Sequence, residues 1–293
     1  MTKKNAFIYK TNAHLPETEI YKKFLKDLNF NVEIKKNNSK YKNLEPKIAW
    51  FIAGLQKYNL KAQKIIVDYR SRSLGKFYII KDFIKLILNK SDINIFAHKD
   101  LMFFFSKYIQ KRKTFYLPMG SFCKFKKIKK KYDFIYIGEI SLLKTGKSFI
   151  ELINTLSKQY KIIVIGNIER SIYLTLKKFN NLKIINRNIE IKKLNTFINQ
   201  SKIGISWYTN NSSIKNQIST KILDYNICNL PILCNNSSVN FYTFKKYKIK
   251  KYILYKKDKN ISFDFRNVFS TKNKSFQEIF DKSSLKYYLC KIL

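Results

Sequence analysis

Glycine and proline are scarce, with seven and four copies in 293 residues. That excludes collagen-like and low-complexity chains, whose composition those residues dominate. The four cysteines, Cys123, Cys228, Cys234 and Cys290, contain no C-x-x-C pair, so neither a disulfide framework nor a zinc site is expected. No apolar run approaches the roughly 18 residues of a membrane span, and Met1-Thr2-Lys3-Lys4-Asn5 leads into no apolar signal core. The expected location is cytoplasmic, with peripheral attachment to the inner face of the membrane as the alternative.

Acidic side chains are also few. Nineteen Asp and Glu face 59 Lys and Arg, a net charge of +40 with both histidines neutral. Only six of the basic residues are arginine, and the lysine excess accompanies many Asn and Ile, the bias an AT-rich genome writes on any surface. The charge still attracts polyanions such as nucleic acid, anionic lipid head groups or diphosphates. Base-specific readout relies on the arginine fork, so no specific nucleic acid partner is expected.

What is present suffices for well-packed cores. Hydrophobic residues make up 45% and aromatics 16%, and the length suits two domains. Strands are expected at Ala6–Tyr9, Asn31–Ile34, Lys47–Ile52, Lys64–Asp68, Asn94–Ala97 and Thr114–Leu117. Helices with apolar spacings of three and four fall at Glu17–Leu28, Lys76–Asn89 and Lys99–Gln110. The second half repeats the plan, with strands at Tyr132–Gly138, Lys161–Gly166, Leu182–Ile185, Lys202–Trp207, Pro231–Cys234 and Lys250–Leu254. Its helices fall at Gly146–Gln159, Ile168–Phe179, Ile191–Gln200 and Ser219–Cys228. Alternating strands and helices give right-handed crossovers and parallel sheets. The fold class is α/β, with two Rossmann-like, doubly wound domains facing a central cleft. The lysine-rich Phe122–Lys131 marks the boundary. An N-terminal domain is expected over 1–121 and a C-terminal one over 122–274. A helical segment, 275–293, packs on a domain, with a crossing back to the first as one option.

Ligands of such sheets sit where strand ends meet helix N-termini. Gly138 to Gly146 (GEISLLKTG) follows a strand and opens a helix, so its amides and the Lys144 ammonium converge on one region suited to a diphosphate. The polar segment Tyr208–Ile218 leads into a second helix, which Ser219 is placed to cap. The amides around Gln217, Ile218, Ser219 and Thr220 are expected to face the cleft, and Asp224 to point toward a ribose diol.

Taken together, residues 132–240 resemble the nucleotide-binding domain of GT-B fold glycosyltransferases of group 1, or family 4. The resemblance is carried by the turn GEISLLKTG, by Ile162-Ile163-Val164-Ile165-Gly166, and by the helix-strand pair Ile191–Gln200 and Lys202–Trp207. It is completed by Lys221-Ile222-Leu223-Asp224-Tyr225 followed by Asn229-Leu230-Pro231. The first 120 residues match more loosely. The resemblance implies that Lys144 contacts the donor diphosphate, with Gly138 and Gly166 in the phosphate turns. Asp224 stands where the family has a ribose-gripping glutamate, and Asn216 where another glutamate approaches the donor sugar. Glu139 replaces an arginine that is common in this turn. Both Asn216 and Glu139 depart from the family pattern.

The implied activity is metal-independent hexosyl transfer with retention, from a UDP- or GDP-linked sugar to a polysaccharide or lipid-linked saccharide. No cofactor beyond the donor substrate is implied. On the acceptor side, Asp68 is a candidate catalytic residue, with His14, Arg70 and His98 as cleft-lining candidates. The aromatic and basic Lys99–Lys113 reads either as a packed helix or as contact with an anionic membrane. Two other functions fit the sequence: a non-catalytic GT-B-like protein that binds sugar nucleotides or serves as a partner subunit, and a basic RNA-binding α/β protein.

Overall fold

The computed structural model describes residues 4–10, 15–36, 45–52, 61–70, 73, 77–106, 108–109, 113–210, 217–255 and 274–293. The chain divides into two compact units, Met1–Met119 with Phe276–Leu293, and Gly120–Ser275.

The first unit is built from β1 (Asn5–Lys10), α1 (Glu17–Asp27), β2 (Asn31–Lys36), β3 (Ile48–Ile52), β4 (Lys64–Tyr69), α2 (Tyr78–Leu88), β5 (Ile93–Phe96), α3 (Lys99–Ser106) and β6 (Lys113–Tyr116). Its strands pair in parallel in the order β2-β1-β3-β4-β5-β6. A parallel sheet covered on both faces needs strands that are apolar throughout. Ile48-Ala49-Trp50-Phe51-Ile52 meets that requirement, with all five residues buried.

The second unit repeats the design with β7 (Tyr132–Ile137), α4 (Gly146–Ser157), β8 (Ile162–Ile165), α5 (Arg170–Leu176), β9 (Leu182–Ile185), α6 (Ile191–Asn199), β10 (Ser201–Ser206), α7 (Thr220–Ile227), β11 (Ile232–Cys234), α8 (Ser238–Tyr247) and β12 (Tyr252–Leu254). The parallel order is β12-β11-β10-β7-β8-β9. From β7 the chain winds one way to β9, and from β10 it winds the other way to β12. The switch point therefore lies between β7 and β10, where a doubly wound sheet opens a crevice at its strand C-termini.

Two short helices, α9 (Phe276–Asp281) and α10 (Ser284–Ile292), complete the first unit. Phe280 meets the rings of Tyr21 and Phe24 edge-on at 5.5 and 5.2 Å. Ser283 separates the two helices and caps α10 by accepting the Lys286 N–H.

All twelve expected strands are present, within a residue or two at each end. Helix α8 was not expected from the sequence. Its inward face carries Asn240 and Thr243 beside Val239 and Phe244, so no apolar stripe marks it. With glycine so rare, asparagine takes the left-handed position after helices. Asn29 and Asn229 have φ of 62° and 61°, and the chain turns there through Phe30 N–H to Leu25 O and Leu230 N–H to Tyr225 O.

The basic segment 122–131 lies extended along α6 in the second unit. Asn195 Oδ1 accepts the Lys124 N–H at 2.9 Å, and Asn199 Oδ1 accepts the Lys126 N–H at 2.7 Å. These two asparagines are four residues apart and so share one helix face.

Candidate functional site

The switch point of the second unit gathers Gly138, Lys144, Gly166 and Ser219. Gly138 follows β7 and Gly166 follows β8, and both glycines have positive φ, 121° and 147°. A Cβ on Gly166 would sit 2.0 Å from the Gly138 carbonyl oxygen. The two turns are therefore packed backbone to backbone, and only glycine satisfies both the close approach and the dihedral. Beyond them, Ile140 N–H donates to Asn167 O, and Glu169 N–H donates to Ile140 O.

Lys144 closes the turn before α4 and pairs with Glu139 of the same turn. The pair is partly solvent-exposed, so it contributes little to stability and yields readily to another anion. Thr209, just past β10, ties this turn down from the other side. Its N–H donates to Lys144 O at 2.8 Å and its hydroxyl to Leu143 O at 2.7 Å.

Behind the turn lies Lys221 at the start of α7, which the sequence reading did not single out. It is only 7% exposed. Its Nζ donates to Tyr136 Oη at 3.0 Å and lies 4.1 and 4.4 Å from the ring centres of Tyr136 and Tyr208. It is also 3.6 Å from where a Cβ of Gly138 would be. Burial first, and the neighbouring Lys144 ammonium second, hold its pKa well below the usual lysine range. Both tyrosines stay neutral: burial raises Tyr136 well above its ordinary value and Tyr208 to about 12. Among the described residues no carboxylate pairs with Lys221.

Ser219 does not cap α7 as expected. Its hydroxyl instead accepts the Tyr208 Oη–H at 2.9 Å, and no side-chain cap forms. The N–H groups that open α7 keep their positive end of the helix dipole uncapped by that side chain. Ile218 is buried, and Gln217 Nε2 is buried with no hydrogen-bond acceptor among the described residues. Asn216 lies outside the described residues.

Asp224 does not face a ligand. Its Oδ1 accepts the Ser121 hydroxyl at 2.6 Å and the Phe122 N–H at 3.3 Å, so it anchors the segment that enters the second unit. Burial raises its carboxyl pKa to about 6. One residue on, Tyr225 props the switch point open. Its hydroxyl accepts the Ile137 N–H at 3.1 Å and faces Ile135 O and Ile205 O at 3.2 and 3.3 Å. It thus serves backbone groups of β7 and β10 where the two strands part.

The acceptor-side candidates also require correction. Asp68, fully buried at the end of β4, accepts the Tyr21 hydroxyl at 2.6 Å. Arg70, 2% exposed, has its Nε 3.4 Å from Glu17 and its guanidinium 3.7 Å from Asp68, and donates to Leu117 O at 3.0 Å. Phe276 of α9 covers it, 4.8 Å away. Burial, opposed by Arg70, leaves the Asp68 pKa raised to about 6. These groups form an ion cluster inside the first unit and do not line a surface. His98 is buried at the start of α3, so it is not a lining residue either. His14 lies outside the described residues.

No family model and no curated protein matches this sequence. Solved structures do match. The lipopolysaccharide-biosynthesis glycosyltransferase WaaG superposes with a TM-score of 0.53 at 12% identity, over 85% of this chain and 86% of that one. AviGT4, a glycosyltransferase involved in avilamycin A biosynthesis, gives 0.50 at 8% identity over 87% and 85%. The chain has the GT-B fold. A looser likeness, TM-score 0.43 at 10% identity, links it to a UDP-forming trehalose-phosphate synthase from Burkholderia vietnamiensis, of whose length the match spans 59%.

Within this GT-B fold, the second unit brings four sequence candidates to the switch point of its sheet and adds Lys221, Tyr136 and Tyr208. The signal for Lys221 was present in Lys221-Ile222-Leu223-Asp224-Tyr225. Spacing alone shows that a lysine opens the helix, and packing decides that it is buried between two rings.

Proposed function

We propose that this chain is a glycosyltransferase, moving a hexosyl group from a UDP- or GDP-linked donor to a polysaccharide or lipid-linked saccharide acceptor. The donor binds the second unit and the acceptor the first. The observation that carries this reading is the convergence, at the switch point of a GT-B sheet, of two glycine turns, two lysines and an uncapped helix N-terminus. That combination suits a diphosphate.

In this reading Lys144 exchanges Glu139 for the donor's phosphates, and the α7 amides share the charge. Those cations and dipoles stabilise the diphosphate as the bond to the sugar breaks, which is where charge develops. No metal ion is needed for that step. In this reading transfer proceeds with retention. Asp68 and His98 are turned inward, and the departing phosphate itself is left to take the acceptor's proton.

The outward face of α2 supports a membrane-borne acceptor and a peripheral location on the inner face of the membrane. Asp82 and Leu86 point inward, while Ile80, Ile84, Ile87 and Leu88 are between 42 and 57% exposed. Lys81 and Lys85 lie on the same helix, and Phe103 and Phe104 of α3 and Tyr108 just beyond it add exposed aromatic surface. Apolar and basic side chains together favour an anionic bilayer. A second copy of a +40 chain is disfavoured there by repulsion.

The test is a donor screen by thermal shift, followed by detection of released nucleoside diphosphate with lipid-linked acceptors. Turnover that disappears in Lys144→Ala supports the reading, and the absence of both binding and turnover sinks it. The Glu139–Lys144 pair favours one other reading, a sugar-nucleotide-binding protein or partner subunit without catalysis. Binding without turnover would decide for that reading.

A further inference from the structure

A lysine ammonium taken out of water calls for a counter-charge, or else gives up its proton. Lys221 has two aromatic faces and one phenol around it. The groups facing it are Tyr136 from β7, Tyr208 from beyond β10, and Lys144 from the turn before α4. The nearby carboxylate of that turn, Glu139, is engaged by Lys144, and Asp224 on the same helix is engaged by Ser121 and Phe122. Both tyrosines are held neutral by burial, so neither supplies a phenolate. The site is a socket for a cation that has no counter-ion among the described residues.

Lys221 borders the phosphate turns, with Nζ 3.6 Å from the Cβ position of Gly138 and near Lys144. A diphosphate lying on the Gly138 turn would bring the absent negative charge within reach of Nζ.

We propose that Lys221 binds the donor's diphosphate directly and takes up one proton from solvent as it does so, making donor binding proton-coupled. The inference rests on the reading of the second unit as a donor site and specifies its chemistry. The amine gains its proton as the dianion arrives, and the ammonium returns it when the nucleoside diphosphate leaves. No other bond changes. The two tyrosine rings stabilise the ammonium while it is bound, and the empty site avoids holding an uncompensated charge beside Lys144.

The experiment is calorimetric titration of the full chain with UDP and GDP between pH 7.5 and 9, in two buffers of different ionisation enthalpy. The expected result is an enthalpy that depends on the buffer, corresponding to uptake that approaches one proton. Lys221→Met is expected to abolish that dependence and weaken binding roughly ten- to hundredfold. It removes a buried amine and keeps the shape, so its thermal melt should match or exceed that of the wild type. Lys221→Arg, charged throughout, should bind without proton uptake. Nucleotide binding with no buffer dependence, or with the same affinity in Lys221→Met, overturns the inference and leaves the donor site standing. Proton-coupled binding without sugar transfer from any donor upholds the inference and overturns the catalytic reading. Failure of both nucleotides to bind overturns both.

Discussion

Gly204 lies on β10 against the ring of Tyr225, and replacing it with alanine tests whether that ring holds the switch point open. A Cβ there would fall 2.3, 2.4 and 2.7 Å from Tyr225 Cδ2, Cγ and Cε2, where ordinary contact is 3.4–4 Å. The ring must retreat by about 1 Å, the difference between those contacts and the ordinary one. It is fully buried and pinned by its hydroxyl to Ile137 N–H, so retreat costs twice. Overpacking costs about 1–3 kcal/mol, and a buried Ile137 N–H left unbonded costs about 1–3 kcal/mol more. The expected loss is about 2–6 kcal/mol, a large part of a typical domain's 5–15 kcal/mol or so. Urea unfolding followed by Trp207 emission measures it in a Trp50→Phe background, since Trp50 and Trp207 are the only two tryptophans and Trp50 reports the other unit. Pairing Gly204→Ala with Tyr225→Ala should cost clearly less than the two changes added, because the clash disappears with the ring. A Gly204→Ala protein within about 0.5 kcal/mol of wild type, a typical surface-substitution effect, would refute the argument. So would a strictly additive pair.

Three further outcomes are expected. Asp224 has a folded pKa of about 6 against 3.8, so its contribution to stability is full below about pH 4 and is lost as pH rises through 6. Asp224→Asn should flatten that slope, worth roughly 3 kcal/mol, in pH-dependent unfolding read at Trp207. An unchanged profile would mean Asp224 is not the titrating group. Arg70→Met leaves Glu17 and Asp68 buried without their cation and should cost the first unit about 3–5 kcal/mol. Trp50, stacked 4.1 Å from Tyr21, reports the loss in a Trp207→Phe background, and unchanged melting there would contradict the ion-cluster reading. Glu139→Gln removes the anion that competes for Lys144 and should tighten UDP binding about two- to fivefold, measured by titration. Weaker binding would show that Glu139 assists the ligand.

The strand pattern was legible because parallel strands covered on both faces must be apolar runs, as Ile162-Ile163-Val164-Ile165 is. Helix α8 was not, because Asn240 and Thr243 face inward. Asn240 bonds Ser206 and Thr243 accepts the Ser219 N–H, and such pairings between distant segments leave no local period. In the site, Gly138, Gly166 and Lys144 could be placed from sequence because a turn between strand and helix fixes their location. Asp68, Arg70 and Asp224 were misplaced for one shared reason. A charged residue just after a strand, or one turn into a helix, looks solvent-facing until a partner from far along the chain arrives. Those partners are Glu17 and Phe276 in one case and Ser121 in the other.

The order of strands and helices, the parallel pairing and the position of the phosphate turns are properties of the sequence alone, because they depend on apolar period and on glycine at strand ends. Which charges are spent inside the protein was decided only by tertiary structure. Arg70 and Asp224 are neutralised or hydrogen-bonded by remote residues, whereas Lys221 is enclosed by two neutral rings with no counter-charge among the described residues. Burial and partnership are relations between segments far apart in the chain, and no spacing within a single segment records them.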